Sequence, residues 1–255
     1  MTELIKVKNA SYILYEELLL KRENLRKEGT QFYITYLQVF GELLTESFRK
    51  KVECIRKKKM IAYCQRCLNQ GKDINSLDLH QFIDAEMKSY EAQLKQMVRE
   101  AKDAAEARSI SDEDVRTIKE IYYRLARKIH PDMRPEYADD MQIMDYWNRI
   151  VIAYHNNQLK ELEELEVLVN TCLAAKQGRN ETLHIENVET KIKSLEQEID
   201  RIVSTAPYTY RFLLEDNRQK EAKKEELQQE IKEYEQYAKE LDDVLKAFPI
   251  KEMYA

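Results

Sequence analysis

The chain has 255 residues, 35% of them charged and 43% hydrophobic, with only 4 Gly and 4 Pro and a net charge of -5. So few turn residues over such a length argue against a β-rich fold, and no apolar run is long enough to span a bilayer. The acidic balance gives no global reason to bind nucleic acid, and four irregularly spaced cysteines (Cys54, Cys64, Cys67 and Cys172) make no disulfide framework.

An all-α protein in a reducing, cytoplasmic compartment is the expectation, and Thr2, Glu3 and Leu4 do not read as a basic and then apolar leader. Residues 1–89 read as a helical N-terminal region. Tyr12, Tyr15 and Leu19 share one stripe, and Phe32, Tyr36, Phe40, Leu43 and Leu44 share another. A break is expected between them at Gly29, whereas Gly41 costs a helix about 1 kcal/mol without necessarily ending it. Arg49, Lys50, Lys51, Arg56, Lys57, Lys58 and Lys59 form a basic cluster. It reads first as a solvated helix face and second as a surface for phosphates or an acidic partner. Cys64 and Cys67 have the spacing of a redox pair or half a zinc site. Only Cys54 and His80 are near enough to complete a metal site, so two ordinary helical thiols are the simpler reading. Asn69 to Asp73 is a turn, after which Ser76 or Asp78 caps a helix running to about Ala107.

Residues 90–177 form the second expected domain. Ser111 is an N-cap, and Asp112, Glu113 and Asp114 favour the positive end of the helix that follows. Ile118, Ile121 or Tyr122, Leu125 and Ile129 make one face apolar, while Lys119, Arg124, Arg127 and Lys128 make another basic. Pro131 stops the helix, so His130 and Asp132 should be presented at an exposed corner. Ile143, Trp147, Ile150 and Tyr154 form a second, antiparallel helical face. Asn156 and Asn157 turn the chain into a third helix from Leu159 to about Cys172.

This stretch resembles the J domain of DnaJ-type co-chaperones. Ile118, Tyr122, Arg124, Leu125, Ala126 and Lys128 stand in register before His130-Pro131-Asp132, and Trp147, Ile150, Ala153 and Tyr154 match the following helix. The usual first helix, with its Tyr-x-x-Leu-Gly-Val signature, is missing, so the helix around Leu94, Met97 and Val98 is expected to take its place. Glycine/phenylalanine-rich and zinc-module regions are absent as well. The resemblance implies that His130, Pro131 and Asp132 stimulate the ATPase of a DnaK-type chaperone. Lys119, Arg124, Arg127 and Lys128 would provide a basic docking face for it.

Residues 178–255 carry two heptad seams. Ile185, Val188, Ile192, Leu195, Ile199 and Ile202 form the first, and Leu227, Ile231, Tyr234, Ala238, Leu241 and Leu245 the second. The segment between them contains Pro207, so the two arms are expected to close on each other as an antiparallel coiled-coil hairpin, with pairing between chains, as a homodimer, the alternative. Tyr208, Tyr210, Phe212 and Leu213 sit at the expected tip, either folded inward or exposed to a partner. No complete catalytic or nucleotide-binding motif appears. The chain therefore reads as a non-enzymatic co-chaperone or adaptor with no catalytic residue, cofactor or metal. Its helical or coiled-coil regions would choose a client, with nucleic acid and membrane not expected among its partners. The alternative is a helical scaffold or assembly subunit whose J fold no longer stimulates a chaperone.

Overall fold

The computed structural model describes residues 2–107, 110–176 and 187–251, with side chains from Ala10 to Ile250 within those ranges. The all-α expectation holds: eight helices are described, in the order α1 (Thr2–Asn69), α2 (Ser76–Glu106), α3 (Asp112–Ile129), α4 (Met141–His155), α5 (Leu159–Lys176), α6 (Val188–Ser204), α7 (Tyr210–Glu215) and α8 (Asn217–Lys246). The strands described are a two-residue pair, β1 (Ile74–Asn75) and β2 (Ile250–Lys251), matched in parallel with Ile74 opposite Ile250. No described helix is long and apolar enough to cross a membrane.

Gly29 does not break α1. A Cβ there would stand at ordinary contact distance from Pro207 and Tyr208, 3.5 and 3.6 Å away, and the cost of a single glycine, about 1 kcal/mol, is too small to end so long a helix. The expected order of three consecutive domains also gives way. The chain forms two compact units, one from residues 1–31 and 108–209, the other from 32–107 and 210–255, because a single helix supplies both. The anticipated boundary at residues 177 and 178, and Ile185 of the first seam, lie outside the described residues.

In the first unit α3 and α4 run antiparallel and α5 packs on both. Ile118, Ile121, Tyr122, Leu125, Ala126 and Ile129 bury the apolar face of α3 against Ile143, Trp147, Ile150, Ala153 and Tyr154 of α4, and against Leu162, Leu165 and Val169 of α5. Each fully buried side chain of this size contributes roughly 1.5–3 kcal/mol. The helix completing this core is the start of α1, through Tyr15, Leu19 and Leu20, and not the region around Leu94, Met97 and Val98. Those three residues belong to α2 in the other unit, where Val98 is exposed. The earlier tyrosine and leucine stripe is therefore what closes this core.

The seams form helices, and each packs on a stretch of α1 within its own unit. Leu195 of α6 is buried in the first unit's core with Tyr15 and Leu19 of α1, and Glu198 binds Arg22 and Arg26. In the second unit α8 lies along the later part of α1: Ser47 donates to Glu230 at 2.8 Å, the Cys54 thiol to the Tyr234 carbonyl at 3.3 Å, and Lys57 pairs with Asp242 at 2.8 Å. Each arm thus finds its covering helix in α1, since a heptad seam specifies an apolar partner without saying which.

Within the second unit the chain reverses at Gly71, whose φ of 66° suits glycine, and α2 returns along α1. Asn75, and not Ser76 or Asp78, caps α2, accepting from the backbone N–H groups of Leu77 and Asp78. Gly41 lets the helices cross closely, because a Cβ there would sit 3.0 Å from Ala101 Cβ.

Candidate functional site around the His-Pro-Asp corner

Ser111 caps α3 by accepting from the N–H of Asp114 at 3.0 Å, and the helix ends at Ile129. His130 takes an extended ψ of 126°, as the residue before a proline must, while its N–H still closes the last helical bond onto Ala126. The carbonyl of His130 then accepts from the N–H groups of Met133 and Arg134 at 3.0 and 2.7 Å. A short 3-10 turn, Pro135–Tyr137, leads to α4, capped by Asp140. The corner expected from the sequence is therefore present.

Its side chains are not all presented as expected. Asp132 is exposed and Pro131 half-buried, but His130 is only 5% exposed, its ring centroid 4.6 Å from that of Trp147. Two contacts hold it inward: the Trp147 ring and a 3.0 Å bond in which the N–H of Asp132 donates to Nδ1. Accepting at Nδ1 places the ring proton on Nε2 in the neutral form. Burial drives its pKa from 6.5 down to about 4, overriding the opposing pull of the Asp132 carboxylate.

The beginning of α1 reaches the same corner. Tyr12 donates its hydroxyl to the Met133 carbonyl at 2.8 Å. Tyr15 is buried beside it, its pKa pushed up to about 12 by burial and then by the charge of Asp132. A row of rings continues inward, with Tyr122 stacked on Tyr154 at 3.9 Å between centroids and tilted against Trp147 at 5.9 Å. Beneath Tyr154, Glu23 is 7% exposed and binds Arg22 and Arg26, with His155 Nε2 at 3.9 Å.

The four cations expected to form a docking face divide into two groups. Arg124 makes a two-pronged bond to Glu166 of α5 at 2.8 and 2.9 Å, which lowers the pKa of that carboxyl. Arg127 binds Glu16 of α1 at 2.7 Å, and Lys128 donates to Asn170 of α5 at 2.6 Å. Lys119 forms no ion pair among the described residues and lies 5.7 Å from the centroid of Tyr123. Glu16, Glu166 and Asn170 carried no signal in the sequence beyond their charge or polarity, because their partners lie 42 to 111 positions away.

The other sites singled out in the sequence fall in less chemical surroundings. Cys64 and Cys67 are buried with Ile74, Leu79, Ile83 and Met87, and burial raises the Cys64 thiol pKa. Among the described residues no group of three or more His, Cys, Asp or Glu could hold a metal. The basic cluster is largely consumed inside the second unit. Lys50 meets Glu235, Arg56 meets Glu91, Lys57 meets Glu53 and Asp242, and Lys59 meets Glu86. It therefore joins α2 and α8 to α1. Of the residues expected at a hairpin tip, Tyr208 is buried in the first unit, while in the second Tyr210 stacks on Tyr36 at 4.2 Å between centroids and Phe212 stays 57% exposed.

Comparison of the chain with family models, curated proteins and solved structures finds no significant match.

Proposed function

We propose that the first unit recruits a DnaK-type chaperone and stimulates its ATPase, acting as a J-domain-like co-chaperone in the cytoplasm. The observation that carries this reading is the corner itself: His130-Pro131-Asp132 sits at the turn between antiparallel α3 and α4, Asp132 faces solvent, and a basic helix face leads into it. In this reading the chain hydrolyses nothing. Asp132 engages the chaperone, His130 and Pro131 set its direction, and Lys119, Arg124, Arg127 and Lys128 guide association electrostatically. The second unit, with α8 and the exposed Phe212, is left to select a client. The test is single-turnover ATP hydrolysis by the DnaK-type chaperone of the same cell, with the wild-type chain and with Asp132→Asn. Stimulation that the substitution abolishes while helicity is retained supports the reading; equal rates with and without the wild-type chain refute it.

A second reading has its own observation. His130 is buried and Arg124, Arg127 and Lys128 already hold internal partners, as expected if the J-like fold has become architecture in a helical scaffold or assembly subunit. A stable non-chaperone complex recovered equally with wild type and Asp132→Asn would favour it. Nucleic-acid binding is disfavoured by the internal pairing of the Arg49 to Lys59 cluster. A mobility shift lost in the Lys51→Glu, Lys58→Glu double variant would restore that idea.

A further inference from the structure

The bonds that shape the His-Pro-Asp corner are mostly local. The His130 carbonyl accepts from Met133 and Arg134, the Asp132 N–H donates to the His130 ring, and Arg134 Nε donates to the Arg127 carbonyl at 3.0 Å. Bonds of this kind set the form of the turn. They do not fix the direction in which the turn, and Asp132 with it, faces relative to the helices around it. That needs contacts from other elements. Trp147 of α4 supplies one through the His130 ring, and α1 supplies another.

Tyr15 and Leu19 are buried in the core that α3 shares, which fixes the rotation of α1 and brings Tyr12 and Glu16, one helical turn apart, to the same side. Glu16 accepts from Arg127 Nε at 2.7 Å, in the last turn of α3 just before the corner. Tyr12 donates to the Met133 carbonyl at 2.8 Å, just after Asp132. α1 therefore holds the chain on both sides of His130-Pro131-Asp132. Met133 is otherwise held by its side chain, buried in the core, and by its N–H on the His130 carbonyl. The Tyr12 bond adds a restraint on that residue from 121 positions away. Burial raises the Tyr12 pKa, against the pull of Arg134, so the hydroxyl stays protonated and remains a donor at neutral pH.

We propose that Tyr12 is a positioning residue for chaperone stimulation: through the Met133 carbonyl it fixes the direction of Asp132, with the Glu16–Arg127 pair holding α1 in place. This rests on the chaperone reading above. It deepens that reading by giving a hydroxyl on α1, outside the α3–α4 pair, control over the step that follows binding. Docking by a basic face tolerates small shifts, because charges act over several ångströms, whereas an activating contact made by a single carboxylate does not. Loss of the Tyr12 hydroxyl should therefore weaken the stimulation of a bound chaperone without weakening its binding.

The test uses the full chain and the purified DnaK-type chaperone in single-turnover ATP hydrolysis, over a range of chain concentrations, for wild type and Tyr12→Phe. The substitution keeps the ring in its packing and removes only the hydroxyl. The maximal stimulated rate should fall about fivefold. The half-saturating concentration should stay within about twofold of wild type, and the urea midpoint read by Trp147 fluorescence should hardly move. The NMR resonance of the Asp132 amide should shift as the corner turns. Maximal stimulation by Tyr12→Phe equal to wild type overturns the positioning role. So does a loss that appears only as a higher half-saturating concentration or that accompanies a lower urea midpoint. In each of these cases the co-chaperone reading stands. Absence of any stimulation by the folded wild type overturns both.

Discussion

Acidification should destabilise the first unit through His130, and by an amount that can be worked out in advance. The neutral ring accepts the N–H of Asp132 at Nδ1 and packs on Trp147, so protonation would break that bond and place a charge under the corner. Its folded pKa of about 4 lies below the ordinary 6.5, so the unfolded chain takes up the proton first as pH falls. The stability due to the neutral ring is therefore whole above pH 6.5, drains between 6.5 and about 4, and changes no further below that. At 1.36 kcal/mol per pH unit the full loss is about 3 kcal/mol. Trp147 is the single tryptophan of the chain, so its fluorescence reports this unit directly. Urea unfolding would be followed by that signal at intervals from pH 7.5 to 4.5, for wild type and for His130→Gln. The difference between the two proteins isolates His130 from every other group that responds to pH. Wild type should lose about 2 kcal/mol more than the variant by pH 5. Parallel losses in the two proteins, or a His130 ring resonance titrating near 6.5, would refute the argument.

Other substitutions probe the remaining contacts. Gly41→Val should cost about 1–3 kcal/mol by driving a side chain into Ala101, measured as a lower urea midpoint of the second unit, and an unchanged midpoint would mean that the helices do not cross closely there. Glu166→Gln releases Arg124 from an exposed pair worth less than about 1 kcal/mol, so stability should hardly move. Chaperone association should speed up about twofold at low salt in stopped-flow measurements, and a slower rate would show that Arg124 must stay oriented by Glu166. Cys64 should resist thiol reagents in the native protein at pH 7 and react only when denaturant opens the second unit, and prompt labelling without denaturant would contradict its burial.

Local chemistry made part of this legible from sequence. The Ser111 cap, the amphipathic face from Ile118 to Ile129, the stop at Pro131 and the left-handed Asn157 turn depend on residues within a few positions of each other. Partner choice was not legible. Leu94 and Met97 have helical spacing as good as that of Tyr15 and Leu19, and periodicity alone does not tell which pair meets α3. The same gap separates the two heptad seams from α1, and the Arg49 to Lys59 cluster from acids on α2 and α8. His130 shows it most clearly at the site. Pro131 does place it at a corner, but whether its ring turns outward or inward is decided by Trp147, seventeen positions later.

The continuity of α1 has a consequence for how the protein is made. A ribosome releases the first 31 residues long before residues 108–209, which they help to enclose, and residues 32–107 likewise precede those from 210 onward. Tyr15 and Leu19 must wait, unburied, for α3 to α6 to emerge, so neither unit can close while its early part alone has left the tunnel. A nascent chain with long apolar stripes exposed during synthesis would itself be a client for the kind of chaperone that the His-Pro-Asp corner is proposed to engage.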